Sequence, residues 1–341
     1  MQSSSSPKKL PIPFADSGDK QVIPNVSQIG IENGRASYPD GFPPLTRTPI
    51  SAGGVPPYGT DMNGILYDIT NSEKWAAAGG SYKYDSAFSS DIGGYPKGAV
   101  LIKSSLNGFW QSTSENNTTN PDTGGAGWID ISAGRLINVR TFLSSGTYIP
   151  SAGTNYVIVE VQGAGGAGSG CVATGSGQAS IGGGGGSGAY SKHRVSSGFS
   201  GVPVTVGTGG SSGASGGGSS FGSIVSCKGG AGGPTQGFSP LFPYAAPGAI
   251  GGVPPSTGSI SKTGGAFGGF AFITDVAGSI AISGAGGNSL LGAGGGNVGN
   301  GVNGNQGGIG AGGSGVCNAG TGTARNGGRG GDGIVIVWEY S

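Results

Sequence analysis

Charge is what this chain of 341 residues has least of. Asp, Glu, Lys and Arg together make up 10% of it, and the net charge is +1. That supply cannot build a broad basic face, so no nucleic-acid partner is expected. Acidic residues are scarcer still in the second half, which holds only Glu160, Asp275, Asp332 and Glu339. Glycoside hydrolysis generally needs two placed carboxylates, and the supply is thin for an enzyme of that kind. There is one histidine, His193, inside Ser191–Arg194, a setting that suits a solvated strand residue better than a catalyst. The three cysteines, Cys171, Cys227 and Cys317, are odd in number and far apart. They form neither a disulfide framework nor a metal-ligand spacing, and read as small buried residues. No P-loop, zincin or nucleophile-elbow motif is present, so no catalytic residue, cofactor or metal is expected. No run of about 18 apolar residues exists to span a membrane as a helix. The start, Met1-Gln-Ser-Ser-Ser-Ser-Pro-Lys-Lys9, lacks the apolar core of a signal peptide. The expectation is a chain made and folded in a cytoplasm, where the sequons at Asn25, Asn116 and Asn117 have no use.

What the chain has in abundance is glycine. Sixty of the 80 glycines lie between Gly163 and Gly333. Runs such as Gly292–Gly310 cannot be helical, because each interior glycine costs about 1 kcal/mol relative to alanine. Composition alone would make the region a flexible linker. Its borders argue otherwise. It is entered by Tyr156-Val-Ile-Val-Glu-Val161 and left by Ile334-Val-Ile-Val-Trp338, both dense β-branched runs of the buried-strand type. A linker needs no such borders, so the region is expected to be folded. Packed segments of polyglycine-II type tolerate this much glycine. They have three residues per turn and no internal hydrogen bonds, so their amides must pair with neighbouring segments. The glycine spacing is not a strict triplet, which excludes a collagen triple helix.

Taken in order, residues 1–60 are rich in Pro, Gly and Ser and read as extended chain that docks against something. Residues 61–78 hold the only plausible helix, with Asp61 as candidate N-cap and Ile65, Leu66, Ile69 and Trp75 in partial helical period. Residues 81–132 form a small β-module with strands over Gly98–Lys103, Gly108–Ser112 and Gly127–Ile131. Its Phe109, Trp110 and Trp128 are either its core or a sugar-stacking platform. Strands are expected over Leu136–Phe142, which Thr147–Ile149 continues after a turn. Others come at Tyr156–Val161, Gly188–Val195, Val202–Val206, Ser220–Ser226 and Ile334–Tyr340. Together they make an antiparallel β-sandwich with the glycine runs on one side of it.

One motif misleads. Gly163-Ala-Gly165-Gly-Ala-Gly168 comes after a strand and fits the dinucleotide fingerprint by letters. The residues after it, Ser169 to Gly177, do not read as a helix, and no acidic residue stands about 20 positions on to meet a ribose. Two aromatic islands interrupt the glycine, Gly237–Tyr244 and Gly265–Thr274. Either they form a local mini-core at a lattice end, or Phe238, Phe242, Tyr244, Phe267, Phe270 and Phe272 form loops at the tip that contact a partner.

Several words, in a specific order, resemble tail fibre proteins of tailed bacteriophages and R-type tailocins. They are Ile12–Lys20, Pro56-Pro57 and Asp61–Leu66. Next come Tyr95–Val100, Gly108–Trp110, Asn116–Pro121 and Gly127-Trp128. The last are Phe142–Tyr148, Val159–Gly163 and Gly331–Tyr340. The resemblance covers nearly the whole chain. It implies a mostly β homotrimer in three parts. These are an N-terminal attachment and trimerisation region at 1–80, a small β-module at 81–132, and a jelly-roll-like, glycine-rich receptor-binding domain at 133–341. It implies attachment by the N-terminus to virion baseplate or tail-tip proteins, with assembly in a host cytoplasm. The glycine-rich domain would then meet a bacterial surface receptor, a lipopolysaccharide sugar or an outer-membrane protein, through the six aromatic residues of the two islands. The chain is short for a fibre, which points toward a short tail-tip fibre rather than a long side fibre. Two other readings stand beside this one: a structural or ice-binding polyglycine-II protein, and a polysaccharide depolymerase.

Overall fold

The computed structural model describes residues 6–234, 236–255 and 260–341, and the start Met1–Ser5 lies outside them. The chain is mostly β, with several antiparallel sheets and, among the described residues, two α-helices. It divides into two compact units, 1–131 and 132–341.

In the first unit, helix α1 (Gly59–Ala77) starts two residues before the expected position. Asp61 is not its cap. Tyr58 holds that place and offers no side-chain hydrogen bond to the helix; its hydroxyl donates to the Asn33 carbonyl instead. Asp61 sits buried in the first turn, where its carboxylate accepts the Ala36 amide at 2.7 Å. The helix N-terminus favours a negative charge there. The extended segment before the helix crosses it closely: the Gln21 amide donates to Thr60 at 3.1 Å, and a Cβ on Gly64 would lie 2.0 Å from the Gln21 carbonyl oxygen. A second helix, α2 (Ser86–Asp91), was not expected. Six residues are too few to show a period. Its one sequence mark is Asp85, whose Oδ1 caps the Ala87 and Phe88 amides. Strands β1 (Val100–Ile102), β2 (Phe109–Ser112) and β3 (Trp128–Asp130) form an antiparallel sheet. The heavy rings do not fill its heart, which is Tyr95 and Leu101. Phe109 is exposed, and Trp110 and Trp128 are half-buried. Each indole N–H is tied down locally, Trp110 to Asp122 at 2.9 Å and Trp128 to the Thr119 carbonyl at 2.8 Å.

The second unit continues with β4 (Leu136–Phe142), β5 (Gly146–Tyr148), β6 (Tyr156–Gln162), β7 (Ala179–Ile181), β8 (Tyr190–Val195), β9 (Val202–Thr205), β10 (Ser219–Phe221) and β11 (Val225–Cys227). Then come β12 (Phe238–Ser239), β13 (Tyr244–Ala246), β14 (Ser261–Thr263), β15 (Ala271–Ile273), β16 (Ala281–Ile282), β17 (Cys317–Ala319) and β18 (Ile334–Tyr340). A five-stranded sheet in the order β14-β8-β6-β18-β4 faces a four-stranded sheet in the order β11-β10-β9-β5. The two apolar borders of the glycine region are direct neighbours, paired from Ile334↔Gln162 to Tyr340↔Tyr156. Their inward residues Val157, Val159, Val161, Val335 and Val337 pack on Tyr148, Val204, Phe221 and Val225 of the opposite sheet. Two sequence expectations change here. β5 does not continue β4 but pairs with β9 across the sandwich, and Ser220–Ser226 is a hairpin of β10 and β11. The inward row of β18 ends on Glu339, which is fully buried. It accepts from Arg140 Nε and the Tyr148 hydroxyl at 2.9 Å and from the Ser151 amide at 3.3 Å.

The glycine segments leave this sandwich at one end. Segments 163–169 and 182–189 are almost wholly buried, and their amides turn through their neighbours with a period of three. Gly163, Gly166 and Ser169 donate to Ala189, Gly186 and Gly183; Ala164 and Ala167 donate to Gly217 and Ala214; Gly165 and Gly168 donate to Gly331 and Gly328. In each series the partner number falls as the donor number rises, so every neighbour runs antiparallel. The same rotation holds for the next segment: Gly182, Gly185 and Gly188 donate to Val316, Gly313 and Gly310, and Gly184 and Ser187 to Gly269 and Ala266. Around these two, burial recurs every third residue, at Cys227, Gly230 and Gly233 and at Ala246, Ala249 and Gly252. At the far end of the segments two small sheets, β12-β7-β17 and β13-β15-β16, close over a second core of Ile181, Ile273, Cys317 and alanines. These sheets were not expected, because their strands are two or three residues long.

Two outcomes test this packing. Gly165→Ala and Gly184→Ala would place a Cβ 1.9 Å from Ala311 O and 1.8 Å from Ala285 O, whereas Gly299→Ala meets nothing within 4 Å. The first two are expected to cost about 3 kcal/mol or more, and to lower Tm by roughly 6–12 °C in a calorimetric scan. Gly299→Ala is expected to leave Tm in place. For Glu339, burial alone would raise the carboxyl, but hydrogen bonds from Ser151, Tyr148 and Arg140 outweigh it and hold the group below the usual carboxylate range. A depressed folded pKa gives stability that is present above the unfolded value, about 4.3, and lost as pH falls through the folded one. Glu339→Gln is therefore expected to cost about 2 kcal/mol at neutral pH, with the gap to the parent protein closing below roughly pH 4.

Candidate functional site

The first aromatic island lies at the far end of the glycine segments. Phe238 stands in β12, whose register is Phe238↔Ser180, and its ring is 56% exposed. The chain then reverses, with the Leu241 amide donating to Ser239 Oγ at 3.0 Å, and returns as β13. Phe242 and Tyr244 do not project. Both are half-buried against the second core. They belong to the mini-core and not to a contact loop, because β13 presents Tyr244 and Ala246 on its inner face.

The second island divides in the same way. In β15, Ala271 and Ile273 point inward and Phe272 points out, flanked in register by Ala245 and Ile282. Phe267 and Phe270 are in no loop. They stand on the straight segment before β15, where Gly264, Phe267 and Phe270 are exposed while Gly268 and Ala271 are buried. A period of three puts the two rings in one line on the flank, 69% and 74% exposed. The neighbouring segment carries a second such line, Pro247, Ile250 and Val253. The two segments are joined by Gly268 N to Ala249 O and Gly265 N to Gly252 O. Of the six aromatic candidates, Phe238, Phe267, Phe270 and Phe272 are thus exposed. Ile250, Val253, Leu241 and Ile282 join them, and sequence reasoning missed these. The three-residue spacing of Ile250 with Val253 was the available signal.

Other candidates resolve plainly. The amides of Gly163 through Gly168 are all taken by neighbouring segments, which leaves none for a pyrophosphate. His193 is half-buried in β8. The three cysteines are buried and unpaired. Burial pushes the Cys227 thiol up to about 12 and the Cys317 thiol up to about 11, so both stay protonated near neutral pH. Among the described residues no group of His, Cys, Asp and Glu is placed to hold a metal ion, and no helix is long and apolar enough to cross a membrane. Asp275, in the turn between β15 and β16, is held below the usual carboxylate range chiefly by the Ser279 amide. The surface therefore offers rigid apolar and aromatic contact with little charge.

No protein-family model matches the chain, and no curated protein matches it.

The exposed and inward rings are expected to separate on substitution. Phe267→Ser and Phe270→Ser should change stability by no more than about 0.5 kcal/mol, as surface positions do. Tyr244→Ala should cost about 2 kcal/mol through lost packing. Urea titrations of the three variants check the difference.

Proposed function

We propose that the protein is a tail-fibre-type receptor-binding protein of a bacteriophage or tailocin. In this reading it is a non-enzymatic homotrimer, anchored to the baseplate or tail tip by its N-terminal region. Its glycine-rich unit binds a bacterial surface receptor. The carrying observation is the exposed line of Phe267 and Phe270, with Phe238 and Phe272 exposed on the same unit, on a scaffold whose backbone amides are hydrogen-bonded segment to segment. The period-three rotation of donors supports reading that scaffold as a polyglycine-II lattice. Exposed rings of this number on one unit favour a recognition surface over bare structure. They also disfavour an ice-binding face, which would be flat and free of aromatic projections. The word-by-word resemblance of residues 10–67, 95–128 and 142–340 to tail fibres gives the reading its partners. Single sites on such a face are weak, and three copies acting together gain avidity through effective concentration.

Adsorption competition tests this. The protein of residues 1–341 is expected to slow attachment of the particle that carries it to sensitive cells. The triple variant Phe238→Ser, Phe267→Ser, Phe270→Ser should lose that effect while its Tm stays within a few degrees. Full competition by the variant would move the site off these rings. No competition by the intact protein would overturn the reading.

A further inference from the structure

The first unit holds a hollow that the proposed receptor surface does not use. It has a volume of about 680 Å³ and is lined by Tyr82, Tyr84, Phe88, Tyr95 and Leu101. Tyr95 and Leu101 are buried and form its floor, while Tyr82 and Phe88 are exposed at its sides. The rings are set at angles to each other. Tyr84 and Tyr95 have centroids 5.7 Å apart at 46°, and Phe88 and Tyr95 lie 6.1 Å apart at 52°. The volume is that of a small-molecule site.

The polar groups at the rim decide what fits. Asp85 uses only Oδ1 to cap α2, taking both the Ala87 and Phe88 amides, and among the described residues its Oδ2 has no donor. Lys83 and Tyr82 also line the hollow, and among the described residues neither the Lys83 ammonium nor the Tyr82 hydroxyl has a hydrogen-bond partner. An acyl chain would cover a carboxylate and an ammonium with nothing to bond them, which is costly. A proline-rich peptide brings carbonyl acceptors but few N–H donors, and leaves the Asp85 carboxylate unbonded. Tyr84 already donates to the Thr118 carbonyl, while Tyr95, which accepts the Asp85 amide at 3.2 Å, keeps its own O–H for a ligand hydroxyl. A ring with an apolar C–H face and hydroxyls around its edge satisfies both features. The C–H face lies on the aromatic surfaces, and the edge hydroxyls donate to Asp85 Oδ2 and accept from Lys83.

We propose that this hollow is a binding site for a hydroxyl-rich pyranose ring, separate from the exposed aromatic surface of the glycine-rich unit. Its test uses the full chain and saturation-transfer NMR. The probes are methyl β-D-glucopyranoside, methyl α-D-mannopyranoside, methyl α-D-galactopyranoside and N-acetyl-D-glucosamine, with a synthetic peptide spanning residues 7–14 as the competing class. At least one pyranose is expected to show transfer through its C–H protons. The double variant Tyr82→Ala, Phe88→Ala removes two exposed rings and should weaken that binding about tenfold. Asp85→Asn keeps an oxygen for the α2 cap, so the fold is retained, and should weaken binding about threefold. The proposal is overturned by absence of transfer from all four sugars, by transfer that is undiminished in both variants, or by binding of the peptide alone.

Discussion

The close approach of one backbone to another is the constraint on which the second unit depends. In the glycine region the segments are held by N–H···O bonds between main chains. The space a side chain would need is occupied by carbonyl oxygens: a Cβ on Gly315 would meet Gly182 O at 1.8 Å, and one on Gly312 would meet Gly185 O at 2.0 Å. Glycine carries the largest entropy cost of ordering of any residue. Dense satisfaction of amides offsets that cost, and each buried amide left unpaired would forfeit about 1–3 kcal/mol. The side-chain-poor interior therefore cannot be stabilised chiefly by apolar burial. It is held at its two ends, by the valine-rich sandwich on one side and the small core of Ile181, Ile273 and Cys317 on the other.

The pairing of β6 with β18 turns this region into a closed excursion. Residues 163–333 leave and return through adjacent strands, so the register Gln162↔Ile334 fixes where the first and last glycine segments begin. Gln162 reinforces the junction from inside: its buried amide donates to the Gly188 carbonyl at 2.9 Å and to the Ala189 carbonyl at 3.2 Å. The β-branched runs made these strands legible from sequence, because alternation and branching report burial on a pleated surface. The same signal is absent from β7, β12 and β13. Their two or three residues carry no period, and the small core they enclose is formed by contacts far apart in the chain, such as Cys317↔Ile181. Asp61 misled for a related reason. A carboxylate near a helix start reads as a cap, yet its partner is Ala36, 25 residues earlier.

The candidate surface was legible only as composition. Aromatic residues in a glycine region had to lie outside the lattice or at its ends, and that much is a matter of volume. Which of them face solvent depends on period. Tyr244 and Phe272 alternate on strands, so one faces in and the other out. Phe267 and Phe270 are three apart on a segment that turns every three residues, so both face out. The strand period of two, applied to Phe267 and Phe270, would assign them to opposite faces and lose the site.

That distinction bears on how such a surface would work. A loop that orders on contact spends part of its interaction energy on lost freedom, about 0.5–1.5 kcal/mol for each mobile side chain and more for the backbone. Phe267 stands on backbone already held by its neighbours, with Ala266 N bonded to Ser187 and Gly268 N to Ala249. Only rotation of the ring remains to be lost. A lattice of this kind also separates specificity from stability. The outward side chains of Phe267, Phe270, Ile250 and Val253 are 60–74% exposed and so tolerate variation, while Gly251, Gly252 and Gly268 between them are fixed by carbonyl oxygens 1.9–2.4 Å from any added carbon. A fold with invariant interior spacing and free outward positions can change what it binds without changing how it folds, which is the property a receptor-binding surface needs.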